Sequence, residues 1–280
     1  MPYPRAPFYM LGVIATIIVG FWPSYFAVAP SVPWQFHAHG VAASLWVLMV
    51  TAQSWTAQHK GQLQFHRAVG KTSLFLFPFL IGGLAAIISR QAQEFVAGDP
   101  VRLLYGPGFL LGTVVAMGAY VTVYYQALRF RRKVWVHAGY MLSTPLILFE
   151  SPFSRIMGLY IPRFQVHGPA DFPHIMETIL WSMALALVIS IVIWWRTGER
   201  AKPFLVTAGL IGVEMLATGL ANDLPVLRQL DTLIGHVPSG SVWLTGFIIG
   251  ALTSWAGWNA GKRPTVPVGT TAFPAQPLAR

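Results

Sequence analysis

Long apolar blocks recur from one end of the chain to the other, and short clusters of charged residues separate them. A hydrocarbon core of about 30 Å needs roughly 20 consecutive apolar residues in a helix. Eight stretches satisfy that length, at 8–28, 35–57, 68–90, 103–128, 134–156, 174–195, 203–223 and 240–259. The pattern predicts an all-α membrane protein, a bundle of eight transmembrane helices forming one domain over 1–261. Composition agrees: hydrophobic residues make up 55% of the chain, charged ones 10%, and the mean hydropathy is +0.56. That leaves no room for a soluble module. The absence of cysteine excludes disulfides, thiolate metal sites, iron–sulfur clusters and c-type haem attachment.

The first block follows Arg5 and ends in Ala27-Val28-Ala29, which resembles a signal-peptidase site. Pro30 would then be the first mature residue, where proline is poorly tolerated, so the block is read as an uncleaved first helix. Fourteen of the nineteen basic residues fall on one side of the eight-span arrangement, including Arg5, Lys60, Arg67, Lys71, the Arg129–Lys133 cluster, and Lys262. Only Arg90, Arg102, Arg155, Arg163 and Arg228 fall on the other. By the positive-inside rule both termini are cytoplasmic, and the expected location is a bacterial inner membrane. The net charge of +10 therefore reflects topology and contact with anionic lipid headgroups, not nucleic-acid binding. Residues 262–280, with four prolines and little to bury, are expected to form a disordered cytoplasmic tail.

The segment WVHAGYMLSTPLILFESPFSR, 135–155, carries His137, Glu150 and Arg155 inside an apolar run. Ionisable groups are costly in hydrocarbon, so each needs buried partners or a role. On one continuous helix His137, Met141, Thr144 and Arg155 would share a stripe and Glu150 would point about 140° away. Pro145 and Pro152 would free the carbonyls of Met141 and Leu148.

Topology sorts the polar groups into two levels. The inner one holds His59, His66 and His137. The outer one holds His37 or His39, Glu150, Arg155, His174, Glu177, Asn222, Asp223 and His236, with His39 preferred because it lies deeper. Glu214 stands near the midplane, with Thr218 and Asn222 continuing its stripe. It is either a proton- or cation-binding group or a neutral acid bonded to a neighbouring helix.

Between about 35 and 160 three groups recur as a pattern: His39, Trp46 and Gln53; His66, Arg67 and Gly70; and His137, Met141 and Arg155. In these residues the chain resembles a family of predicted bacterial polytopic membrane proteins to which no function is assigned. The resemblance implies a membrane fold and supplies no activity.

Three functions fit the residues. The first is a b-type haem or quinone-linked redox protein: His66 with His137 meets the depth condition for haem b, and His39 with His174 offers an outer pair. The second is a membrane enzyme acting on a lipophilic substrate. It would use either a divalent metal held by His39, His174, Glu177, Asp223 and His236, or a carboxylate base, Glu150 or Glu177, beside Arg155. The third is a proton-coupled transporter using Glu214, and an accessory subunit remains a further alternative. Haem-linked electron transfer is the leading expectation.

Overall fold

The computed structural model describes residues 2–262, and every regular element among them is helical. α1 (Ala6–Phe21) continues into one π-helical turn, Trp22–Phe26, and is followed by α2 (Trp34–Gln58) and α3 (Leu63–Val96). Next come α4 (Pro100–Arg129), α5 (Val134–Ile147), α6 (Glu150–Tyr160) and α7 (Phe172–Thr197). The described chain closes with α8 (Lys202–Leu220), α9 (Pro225–Gly235) and α10 (Ser239–Ala260).

Stretches 6–26, 63–96, 100–129 and 169–220 are long and apolar enough to cross a membrane. A fifth qualifies if α9 and α10, bent by 108°, are counted together. Large apolar side chains stand outward, among them Phe75 (77% exposed), Leu220 (76%) and Trp195 (75%). An apolar surface of this extent belongs in lipid, where helices satisfy their own backbone groups. The chain is a helical membrane protein.

Local chemistry fixes the element ends. The Asp99 side chain accepts a hydrogen bond from the Arg102 N–H at 2.9 Å, and Pro100 occupies the first turn of α4, where its missing N–H costs nothing. Gly98 (φ 83°) and Gly198 (φ 70°) take the left-handed backbone at the reversals before α4 and α8. α3 is the central helix, packed on α2, α4, α9 and α10, while α8 packs on α4, α5 and α7. Gly108 and Gly112 of α4 receive α8: a Cβ at either would run into Thr218 or Asn222. Such Gly-x-x-x-Gly faces let membrane helices approach closely. The Glu214–Thr218–Asn222 stripe is thereby turned inward, and Asn222 Oδ1 accepts from the Gly108 N–H at 3.2 Å.

Each predicted stretch falls on helix, but 134–156 is not one helix. α5 stops at Ile147, Leu148 and Phe149 break the run, and α6 restarts at Glu150. Two prolines on either side of the break remove ladder donors. The Met141 carbonyl then takes the Thr144 hydroxyl at 2.8 Å, and the Leu148 carbonyl takes the Ser151 N–H at 3.3 Å. The break overturns the stripe expected across His137 and Arg155, which presupposed continuity. Glu150 and Arg155 instead line one cavity. α9 was not anticipated, and the tail expected from 262 onward lies, beyond Lys262, outside the described residues.

Candidate functional site

The first cavity, 490 Å³, lies at the end that carries most of the basic residues. α2 contributes Met49, Val50 and Gln53, α3 His66, Arg67 and Lys71, α5 His137 and Met141, and Arg131 and Trp258 close one side. Both histidines are tied at Nδ1. The His137 Nδ1–H donates to the Ala127 carbonyl at 2.8 Å, and that of His66 is shared between the Gln53 carbonyl at 3.2 Å and Thr56 Oγ1 at 3.3 Å. In its neutral form a ring that donates from Nδ1 carries its lone pair on Nε2. Neither Nε2 has a hydrogen-bond partner among the described residues, and neither is sealed in the packing. The arrangement offers two unprotonated Nε2 ligands at one cavity.

Cations surround them. Arg131 lies over the Trp258 ring at 4.3 Å and donates to the carbonyls of Leu128 and Trp258 at 3.1 and 2.8 Å. The Gln53 side-chain nitrogen is buried without a partner beside Gly70, whose lack of a Cβ leaves space for the Gln53 amide. The N-terminal strap crosses this end. Gln58 Nε2 donates to the Pro2 carbonyl at 2.9 Å, and burial pushes the Tyr3 hydroxyl up to about 12 as it packs against Trp135 and Phe204.

A buried aromatic layer closes this cavity toward the middle of the bundle. Phe77 stacks on Tyr124 at 4.1 Å, Trp46 meets Tyr124 edge-on at 5.2 Å, and Ser73 Oγ bonds the Tyr124 hydroxyl at 2.8 Å. The Trp46 indole N–H donates to Thr144 Oγ1 at 2.9 Å, and Thr144 passes the bond on to the Met141 carbonyl. The layer is thin. On α2 the last residue lining the far side is Val47 and Met49 already lines the near side, while on α5 the corresponding residues are Pro145 and Leu142. Three residues of helix rise by about 4.5 Å.

Beyond the layer two further cavities meet at Arg102, Leu148, Ser151 and Arg155. One, 510 Å³, is polar and is lined by Glu94, Asp99, Glu150, Ser154, Glu214 and Thr218 as well. The other, 420 Å³, is an apolar arm walled by α1, the π-helical turn and α2, with Phe21, Phe36, His39 and Trp46 facing it. Gly20 lets α1 seat on α6 here, because a Cβ would run into the Pro152 carbonyl. Arg155 donates from Nη1 to the Ser151 carbonyl at 2.6 Å and to its hydroxyl at 3.0 Å, and lies 4.6 Å from the Phe21 ring centroid. Arg102 is neutralised by Glu94 at 2.9 Å, which also holds Arg90 at 2.8 Å.

The sequence-predicted residues thus divide. His66 and His137 share the first cavity, Glu150, Arg155 and Glu214 the polar one, and His39 the apolar arm. His37 is held by the Tyr25 hydroxyl at 2.9 Å and does not line these cavities.

The five-residue metal set is not assembled: among the described residues no three His, Cys, Asp or Glu groups are placed to hold one ion. The reasons are local. His174 donates to the Gln165 carbonyl at 3.3 Å, Glu177 pairs with Arg163 at 2.8 Å, His236 bonds back to Thr232 at 2.7 Å, and Asp223 is exposed in the turn after α8. His39 lines the apolar arm beside α1, which none of those four lines. The outer pair of His39 and His174 likewise shares neither of these cavities, and His59 stacks on Trp55 at 5.3 Å and bonds its own helix.

Sequence reasoning placed Thr144 on a polar stripe and Arg131 in a basic cluster without giving either a part in the site, and it missed the Ala127 carbonyl. The first two were legible as a hydroxyl facing a tryptophan and a cation in a juxtamembrane cluster. The carbonyl carried no sequence signal. Compared with models of protein families, with curated proteins and with solved structures, the chain matches none.

Proposed function

We propose that this protein is an eight-span bacterial inner-membrane protein, a member of the polytopic family it resembles, with both termini cytoplasmic. In this reading it holds haem b in the cavity of the basic end. The spans are α1, α2, α3, α4, the broken α5–α6 pair, α7, α8 and α10, an even number that leaves the basic clusters on one side. The observation that carries the haem reading is the pair His66 and His137. Each is fixed at Nδ1 by an acceptor outside its own helix and offers an unprotonated Nε2 to one cavity. Outer bonds of that kind orient imidazole ligands and raise their basicity. Arg67, Lys71 and Arg131 are the groups that would meet the propionates.

Bound there, haem supplies one-electron redox chemistry. The chain's own part is to fix the two rings, neutralise the carboxylates and exclude water behind the Trp46–Tyr124–Phe77 layer. A quinone-class partner would exchange electrons with it. The test is a pyridine haemochrome assay on the purified full chain. It should give about one b haem per chain, falling at least tenfold in H66A and in H137A. A colourless wild-type protein that takes up no added haemin contradicts the reading.

A second reading, proton-coupled transport through Glu214, draws support from one observation. Cavities approach from both ends and are separated by less than one helical turn, next to a broken helix. Proton-driven uptake into vesicles that is abolished by E214Q, with no haem bound, would favour it.

A further inference from the structure

The polar cavity presents an unusual charge arrangement. Glu150 and Glu214 make neither hydrogen bond nor ion pair among the described residues, and Oε2 of each is buried without a donor. Glu214 is 1% exposed, Thr218 is 2% exposed, and Thr218 Oγ1 also lacks a partner. Buried polar atoms are nearly always satisfied, so three such groups at one cavity point to a missing donor. Arg155 faces the same space. Among the described residues only its Nη1 is used, and no carboxylate lies within ion-pair distance of it. A guanidinium and two carboxyls therefore share a cavity without neutralising one another. The adjoining arm is apolar and deep, reaching Trp46, Leu80 and Tyr120.

We propose that these joined cavities bind a phospholipid with a zwitterionic, primary-amine headgroup, phosphatidylethanolamine by chemical class. Its phosphate meets the free N–H groups of Arg155, its ammonium meets Glu150 and Glu214, and one acyl chain fills the arm between α1 and α2. The charges decide the class. A purely anionic headgroup would satisfy Arg155 and leave two carboxyls beside a phosphate. A quaternary ammonium carries no N–H to give to the orphaned oxygens, whereas a primary ammonium carries three. A water-soluble zwitterion would leave the apolar arm unexplained. The site is separate from the histidine cavity and does not rest on the haem reading.

The test is native mass spectrometry of the full chain in detergent, titrated with phosphatidylethanolamine, phosphatidylcholine and phosphatidylglycerol of identical acyl chains. Wild type should retain one phosphatidylethanolamine, with a preference of about tenfold over either competitor, as expected for charge-assisted bonds in a partly dry site. R155Q should weaken retention of all phosphate headgroups by about tenfold, while E150Q/E214Q should erase the ethanolamine-over-choline preference and leave choline-lipid binding unchanged. Should R155Q fail to fold, A43F, which fills the arm and leaves the headgroup residues in place, should lose the bound lipid. Equal retention of the three lipids by wild type, or a preference that survives both E150Q/E214Q and A43F, overturns the proposal.

Discussion

The two ends of the bundle enclose cavities of similar size and opposite chemistry. At the basic end, the polar groups that matter are half satisfied: each histidine spends one nitrogen on a fixed acceptor and keeps the other free. At the other end Glu94 and Asp99 are partnered, while Glu150 and Glu214 make no hydrogen bond among the described residues. His39 illustrates the difference within one residue type, since its Nδ1 is buried without any partner while His66 and His137 are both anchored. An anchored imidazole is oriented before a ligand arrives, and an orphaned group is completed only by one. The two cavities therefore differ in what they leave unsatisfied, and the aromatic layer lies between them.

That comparison can be broken at the layer itself. Trp46→Ala removes a fully buried indole and should lower stability by about 3–5 kcal/mol, read as a lower melting temperature of the purified protein. A loss below about 1 kcal/mol would mean that the layer is not packed as described. Gly112→Val tests the polar side, because the added methyls must displace Thr218. Overpacking of this kind should cost about 1–3 kcal/mol, with the lining of the basic-end cavity left in place. Thr144→Val leaves the Trp46 N–H buried without an acceptor and should cost about 1–2 kcal/mol by the same melt. Glu177→Gln breaks an ion pair whose arginine is 73% exposed and should change stability by less than about 1 kcal/mol, with no effect on either cavity.

Much of this was legible in the sequence. Helix positions followed from apolar length alone, because lipid demands it, and the inward turn of Thr218 and Asn222 followed from helical spacing below Glu214. His66 and His137 were recognisable as polar residues at one depth. Two features were not. The break at Leu148–Phe149 leaves Glu150 and Arg155 lining one cavity, and the prolines that flank it read equally well as kinks in one continuous helix. The anchoring of His137 depends on a backbone carbonyl at Ala127, to which side-chain identity contributes nothing. The metal set failed for a related reason: similar depth placed five ligands at one level, but depth does not bring helices together around an axis.

The central claim is that the anchored histidines of the basic end, and not those of the opposite end, hold a redox cofactor. A dithionite-reduced minus oxidised absorbance spectrum of membranes containing the full chain tests it directly, with H66A, H137A, H39A and H174A compared at matched protein level. The account predicts a b-type signal in wild type that disappears in H66A and H137A and persists in H39A and H174A. No signal in wild type, or a signal lost only with His39 or His174, would contradict it.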